Sequence, residues 1–319
     1  MSDTTNSLHA LRRRAFLLLK IALFLAVMWF VGRALYPAFH QIDPSKMHIR
    51  WGWFICAIFL LLFSTVAGSY LYSCLYKKLG ESLSMSQAFT LLALPPLGKY
   101  LPGKVMALAG HAGIAKSFGI AFITSTTAIL LVTGLGLVSI AILSLTLLLP
   151  RISHLTGGFA GLAAVGVILP VMIVALHPRI YWRTINSLLI AFKKPPIAAS
   201  FNLRTTALLF LTILMQHGLF ISGLSAVGFA VREMPMSVFP FLTGALSLSA
   251  MAGFVALFAP AGIGVREGVL LVILTPVLGA ADAGVIAVFT RVAQTISDAV
   301  LGAAGLVTYA RYKRIQSRQ

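Results

Sequence analysis

The sequence predicts an all-α, polytopic integral membrane protein built as a single membrane domain over residues 1–319. Three observations carry this. Hydrophobic residues make up 59% of the chain and charged residues only 10%, whereas a soluble domain carries about 25% charged residues. Apolar runs recur along the whole length, many reaching the roughly 20 residues that a helix needs to cross a bilayer. Finally, the residue alternation of a β-barrel is absent. Lipid offers no partner to backbone N–H and C=O groups, so these runs must be helices.

The first predicted helix covers 15–36. Arg12, Arg13 and Arg14 before an apolar run resemble a signal peptide, but the run is long, contains Lys20 and lacks a small-x-small site before Tyr36. It reads as a retained helix. The second covers 52–76 and holds both cysteines, Cys56 and Cys74. On a continuous helix they lie about 27 Å apart, which forbids a disulfide between them. Two thiols are also too few for a metal cluster. Further helices are expected at 120–149, 156–177, 203–231, 236–258 and 284–309. The stretches 85–118 and 260–279 are apolar but broken by Pro and Gly. The expected architecture is about seven to eight transmembrane helices plus two broken or re-entrant hairpins, at 85–118 and 236–279.

The formal net charge is +18. The cations lie in short clusters between apolar segments: at Arg12–Arg14, at Lys77 and Lys78, from Arg179 to Arg204, and from Arg311 to Arg318. That distribution follows the positive-inside rule. It puts these clusters, including the basic tails 1–14 and 310–319, on the cytoplasmic side of the cell (inner or plasma) membrane. No basic stripe or reading fold for nucleic acid is present, so no nucleic-acid partner is expected. Anionic lipid headgroups are the expected partners of juxtamembrane cations. The loops near 37–50, 150–155 and 232–235 then lie outside, although Lys46 and Arg50 fit this poorly. Each broken stretch must return to the side it entered, and the two enter from opposite faces. Each centres on a Pro-Gly turn, Leu101-Pro102-Gly103 and Pro260-Ala261-Gly262. This is the pattern of an inverted repeat with discontinuous helices meeting near the midplane, although residue-level self-similarity is not visible.

The first turn reads Gly98-Lys99-Tyr100-Leu101-Pro102-Gly103-Lys104-Val105. It imitates a P-loop, but Val105 stands where magnesium binding needs Ser or Thr, and no strand or acidic partner accompanies it. Two readings remain. Lys99 and Lys104 face a cavity beside half-helix N-termini that favour anions, or they snorkel to headgroups. The second turn runs from Phe258 to Gly268, and Arg266 and Glu267 open the helix that follows. A charge at membrane depth costs about 2.5–3.5 kcal/mol or more. Such residues persist when paired, as in a structural ion pair, or when facing water or a polar substrate. On the last helix Arg291, Gln294, Thr295 and Asp298 share one face. Arg291 and Asp298 are two turns apart, so Glu267 is the expected partner of Arg291, with Asp298 in the same network. His217 and His111 read as a proton relay and a headgroup contact respectively, or as buried packing histidines. The hydroxyls of Thr124 to Thr127 line a cavity or bond their own helix. No HExxH, DxD or Ser-His-acid set occurs, so no enzyme activity, cofactor or metal is expected.

At the two turns, through Lys99-Tyr100-Leu101-Pro102-Gly103-Lys104 and Pro260-Ala261-Gly262-Ile263-Gly264-Val265-Arg266-Glu267, the chain resembles the flippase-like membrane domain of the lysylphosphatidylglycerol synthase family. The Arg291 helix follows at a family-like distance, and the likeness spans about residues 10–310. It implies a lipid-handling membrane domain with re-entrant helices. Full-length members translocate an aminoacylated phospholipid that a separate soluble domain makes. With few residues after the last helix, that synthase domain is not expected here and lysyl transfer is not carried over. The resulting expectation is translocation of an anionic phospholipid or polyprenyl-phosphate-linked lipid between leaflets. Lys99, Lys104, Arg266, Glu267, Arg291 and Asp298 would bind the substrate, and a gradient or downstream sink would drive transport. The alternatives are a non-catalytic partner of a lipid-modifying glycosyltransferase and a membrane-embedded lipid-phosphate transferase.

Overall fold

The computed structural model describes residues 29, 49–100, 105–155, 166, 170, 177–191, 193, 196, 201–256 and 259–317. The predicted helices at 15–36 and 156–177, and Lys104 in the first turn, fall wholly or almost wholly outside these residues. Every described element is helical. In chain order they are α1 (Trp51–Lys78), α2 (Met85–Ala93), α3 (Val105–Ser117), α4 (Phe122–Leu155), α5 (Pro178–Ala191), α6 (Leu203–Val231), α7 (Phe239–Val255), α8 (Val265–Leu278) and α9 (Ala280–Gln316). Short 3₁₀ turns lie at Pro95–Tyr100, Met236–Val238 and Pro260–Gly262. Five of the described helical segments are long and apolar enough to cross a membrane: α1, α4, α6, α9 and Met236–Val255.

Helix α1 forms its largest interface with α6, and small residues allow their close approach. A Cβ on Gly223 would lie 3.1 Å from the Ala57 carbonyl oxygen, and one on Gly68 2.6 Å from the Gln216 amide nitrogen. In lipid such close contact supplies the association that hydrophobicity cannot. The two cysteines of α1 are free, as its continuity requires.

Between α2 and α3, and again between α7 and α8, the chain breaks. At 1.5 Å per residue α2, α3 and α8 measure about 14, 20 and 21 Å, short of the roughly 30 Å hydrocarbon layer, whereas α7 with the 3₁₀ turn before it is long enough to cross. Helix α9 is the spine that receives both hairpins. The first runs along its C-terminal half. Thr90 and Thr308 hydroxyls share a 2.8 Å hydrogen bond, Leu94 covers Gly305 and Leu97 covers Gly302. At the end of α3 the Ser117 carbonyl accepts from Tyr312. Both arms therefore start near the C-terminal end of α9, and the turn lies deeper. The second hairpin is reversed. Arg232, just before α7, pairs with Asp282 at 3.1 Å, and α8 passes through Gly279 directly into α9. The two hairpins thus enter from opposite ends of α9, and their 3₁₀ turns touch.

Two local expectations change, and the open readings of the two histidines resolve to packing. Residues 150–155 are not a loop: α4 continues through Pro150 to Leu155. The basic stretch after 177 contains an amphipathic helix, α5, that buries Trp182, Ile185 and Leu189 while Arg179, Arg183 and Thr184 stay exposed. That division suits a helix lying in the interface plane. His111 is buried beside the Tyr76 hydroxyl at 3.2 Å, not at a headgroup. His217 bonds Ser139 and lies against Gly136, as a packing histidine does.

The second break supplies a stability test. Gly262 has φ +69°, and a Cβ there would lie 2.8 Å from the Gly253 backbone. Gly262→Ala should cost on the order of 1–3 kcal/mol and lower the melting temperature of the detergent-purified protein. Gly218→Ala, which meets nothing within 4 Å, should match or exceed the wild type.

Candidate functional site

Between α7 and α8 the chain must reverse inside an apolar bundle without stranding backbone polar groups. Ala261, Gly262 and Gly264 take the left-handed region with φ of +51°, +69° and +86°. For the non-glycine Ala261 this costs roughly 1–2 kcal/mol. Arg291 on α9 meets that strain, since its Nη1 donates to the Ala261 carbonyl at 3.2 Å. Helix α8 then opens with Arg266 and Glu267 in its first turn, as expected.

Glu267 lies at the centre. One carboxylate oxygen accepts from the Gly264 N–H at 2.7 Å, satisfying an amide at the helix start. The other accepts from Arg291 Nε in a close ion pair. The side chains are only 11% and 22% exposed. Arg266 Nη1 donates to the Gln294 amide oxygen at 2.7 Å. The structure thus joins Glu267 to Arg291, and it joins Arg266 to the α9 face on which Arg291 and Gln294 lie. Asp298 is about 10 Å further along α9 than Arg291 and half-buried; it does not line the groove described next. Lys99 is described in its backbone only, in the 3₁₀ turn that touches Pro260–Gly262.

Outside the ion pair runs a groove of about 490 Å³. Glu267, Arg291, Gln294 and Thr295 supply its polar wall. Ile263, Val292 and Ile296, each at least 37% exposed, form its apolar rim. The groove therefore opens sideways from the bundle rather than along its axis. Arg291 Nη2 is buried and finds no hydrogen-bond partner among the described residues. Gln294 and Thr295 join the site by helical spacing from Arg291, a signal already visible in the sequence. The Ala261 carbonyl is a participant that no side-chain pattern announces.

The chain matches, over residues 17–302, the family described as the lysylphosphatidylglycerol synthase TM region. It belongs to that family. The comparison with curated proteins returned no match. Membership ties the chain to membrane-lipid biology through the transmembrane region of these synthases. In this family member the break between α7 and α8 and the facing side of α9 bring the polar groups together.

A double-mutant cycle tests the centre. Glu267→Gln and Arg291→Gln should each cost on the order of 3–5 kcal/mol, because each leaves an uncompensated buried partner. The double variant should cost clearly less than their sum, measured by denaturant unfolding in mixed micelles. Additive losses would mean that the pair is not coupled.

Proposed function

We propose that this protein translocates a lipid with an anionic, phosphate-bearing headgroup between leaflets, through the lateral groove beside α8 and α9. The observation that carries this reading is a groove whose polar wall, Glu267, Arg291, Gln294 and Thr295, lies beside an exposed apolar rim. A headgroup needs polar groups at depth, while its tails need an unbroken path to lipid. A pore closed on all sides would offer the first without the second. The Arg291 guanidinium supplies a charge-assisted donor to a phosphate oxygen, and Gln294 and Thr295 supply neutral hydrogen bonds. Glu267 keeps Arg291 in place. Lys99, in the neighbouring turn, and Lys104, outside the described residues, would meet the same headgroup. The basic end, with Lys77, Lys78, Arg311 and Lys313, is placed in the cytoplasm with both termini.

Reconstitution with labelled phosphatidylglycerol tests this. Vesicles with wild-type protein should exchange the label between leaflets faster than empty vesicles. Val292→Trp, which fills the rim without touching the ion pair, and Glu267→Gln should both slow the exchange by tenfold or more, about 1.4 kcal/mol of barrier. Equal exchange in all samples and in empty vesicles would defeat the reading.

A further inference from the structure

A second groove, of about 550 Å³, lies on another face of the molecule, where the C-terminal end of α1 meets the start of α6. Its wall is built from two ladders. Tyr70, Cys74 and Lys78 repeat every four residues on α1; Arg204, Leu208 and Thr212 do the same on α6. The helices are antiparallel, so the ladders match rung for rung. In that register Lys78 is matched with Arg204, Cys74 with Leu208, and Tyr70, itself 63% exposed, with Thr212. No acidic residue lines the groove. Beyond it the outer faces of the same helices are apolar and exposed: Val66, Phe63 and Phe59 on α1, and Leu211 and Met215 on α6.

From this arrangement we infer that the α1–α6 groove holds an anionic phospholipid as a resident ligand, its phosphate between Lys78 and Arg204 and one acyl chain along the exposed apolar seam. The charge is complementary to phosphate and unopposed in the wall. The gradient from cation to hydroxyl to hydrocarbon follows the order of groups along a lipid. An acidic peptide would satisfy the two cations but would leave Leu208, Leu211 and Met215 uncovered. The α5 helix lies at the same end: His177, Arg179 and Trp182 line an adjoining cleft that shares Asn202 with this groove. A bound lipid would thus tie the interfacial helix region to the α1–α6 pair. The site shares no residue with the Glu267–Arg291 groove, and the inference does not rest on translocation.

Cys74 is a reporter already in place, because it lines the groove, is exposed, and shares the chain with only Cys56. The full chain carrying Cys56→Ser would be labelled with a maleimide in neutral detergent micelles, with increasing phosphatidylglycerol or phosphatidylcholine. Two cations at a lipid interface predict half-protection of Cys74 at about thirtyfold less phosphatidylglycerol than phosphatidylcholine. Adding Lys78→Gln and Arg204→Gln should abolish that preference, and both positions are exposed, so the fold should survive. Val292→Trp, in the other groove, should keep it. Equal protection by the two lipids, or a preference that survives the double substitution, would overturn the inference. So would equal protection by glycerol phosphate without tails, or loss of the preference in Val292→Trp.

Discussion

The ion pair between Glu267 and Arg291 is the constraint on which the rest of this architecture hangs. A helix broken within lipid exposes amides and carbonyls that water cannot reach, each at a cost of several kcal/mol. Here the carboxylate takes the Gly264 amide, and the guanidinium takes both the carboxylate and the Ala261 carbonyl. One pair of side chains thus satisfies both sides of the turn and fastens it to α9. A buried ion pair is weak grounds for stability when compared with a hydrophobic replacement. This one differs because a hydrophobic replacement would strand the backbone groups that the pair also serves.

The same helix receives the other hairpin through absence of side chain rather than charge. Gly302 and Gly305 leave room for Leu97 and Leu94, and a Cβ at Gly302 would lie 2.7 Å from Leu97. Two attachments of different chemistry, about 16 Å apart along α9 if counted from Arg291 to Gly302, hold two hairpins that enter from opposite ends. Their 3₁₀ turns touch. This opposed arrangement arises without visible sequence repetition, because it needs a shared spine and not matching residues.

This explains what the sequence made legible. The breaks were readable because Pro and Gly are rare punctuation inside long apolar runs. The Glu267–Arg291 pair was readable because acids are so few that a buried arginine had little choice. The helical spacing that grouped Arg291 with Gln294 and Thr295 was also sufficient, since all three line one groove. Other features depended on tertiary contacts. Nothing local marks Gly253 as the surface on which Gly262 closes. Helix α5 was hidden because its arginines, counted as loop charges, alternate with Trp182, Ile185 and Leu189, whose burial depends on partners such as Phe201. Pro150 suggested an end to α4, yet the helix runs on to Leu155.

Charge placement in the two grooves follows access to water. At the surface of the basic end, Lys78 and Arg204 can stay uncompensated because bulk solvent screens them. Deep in the bundle a lone guanidinium would carry a penalty of about 2.5–3.5 kcal/mol or more. Pairing with Glu267 offsets the charge of Arg291 and leaves its Nη2 without a partner among the described residues, while the buried Arg266 donates to Gln294 on the same face of α9. A phosphate held here, as proposed, would meet guanidinium and amide donors at short range. The proposed translocation requires that a headgroup be released as readily as it is accepted, and a cation already engaged by a carboxylate suits that requirement. The lipid proposed for the α1–α6 groove has no such requirement, so the two solvent-screened cations there can stay unopposed.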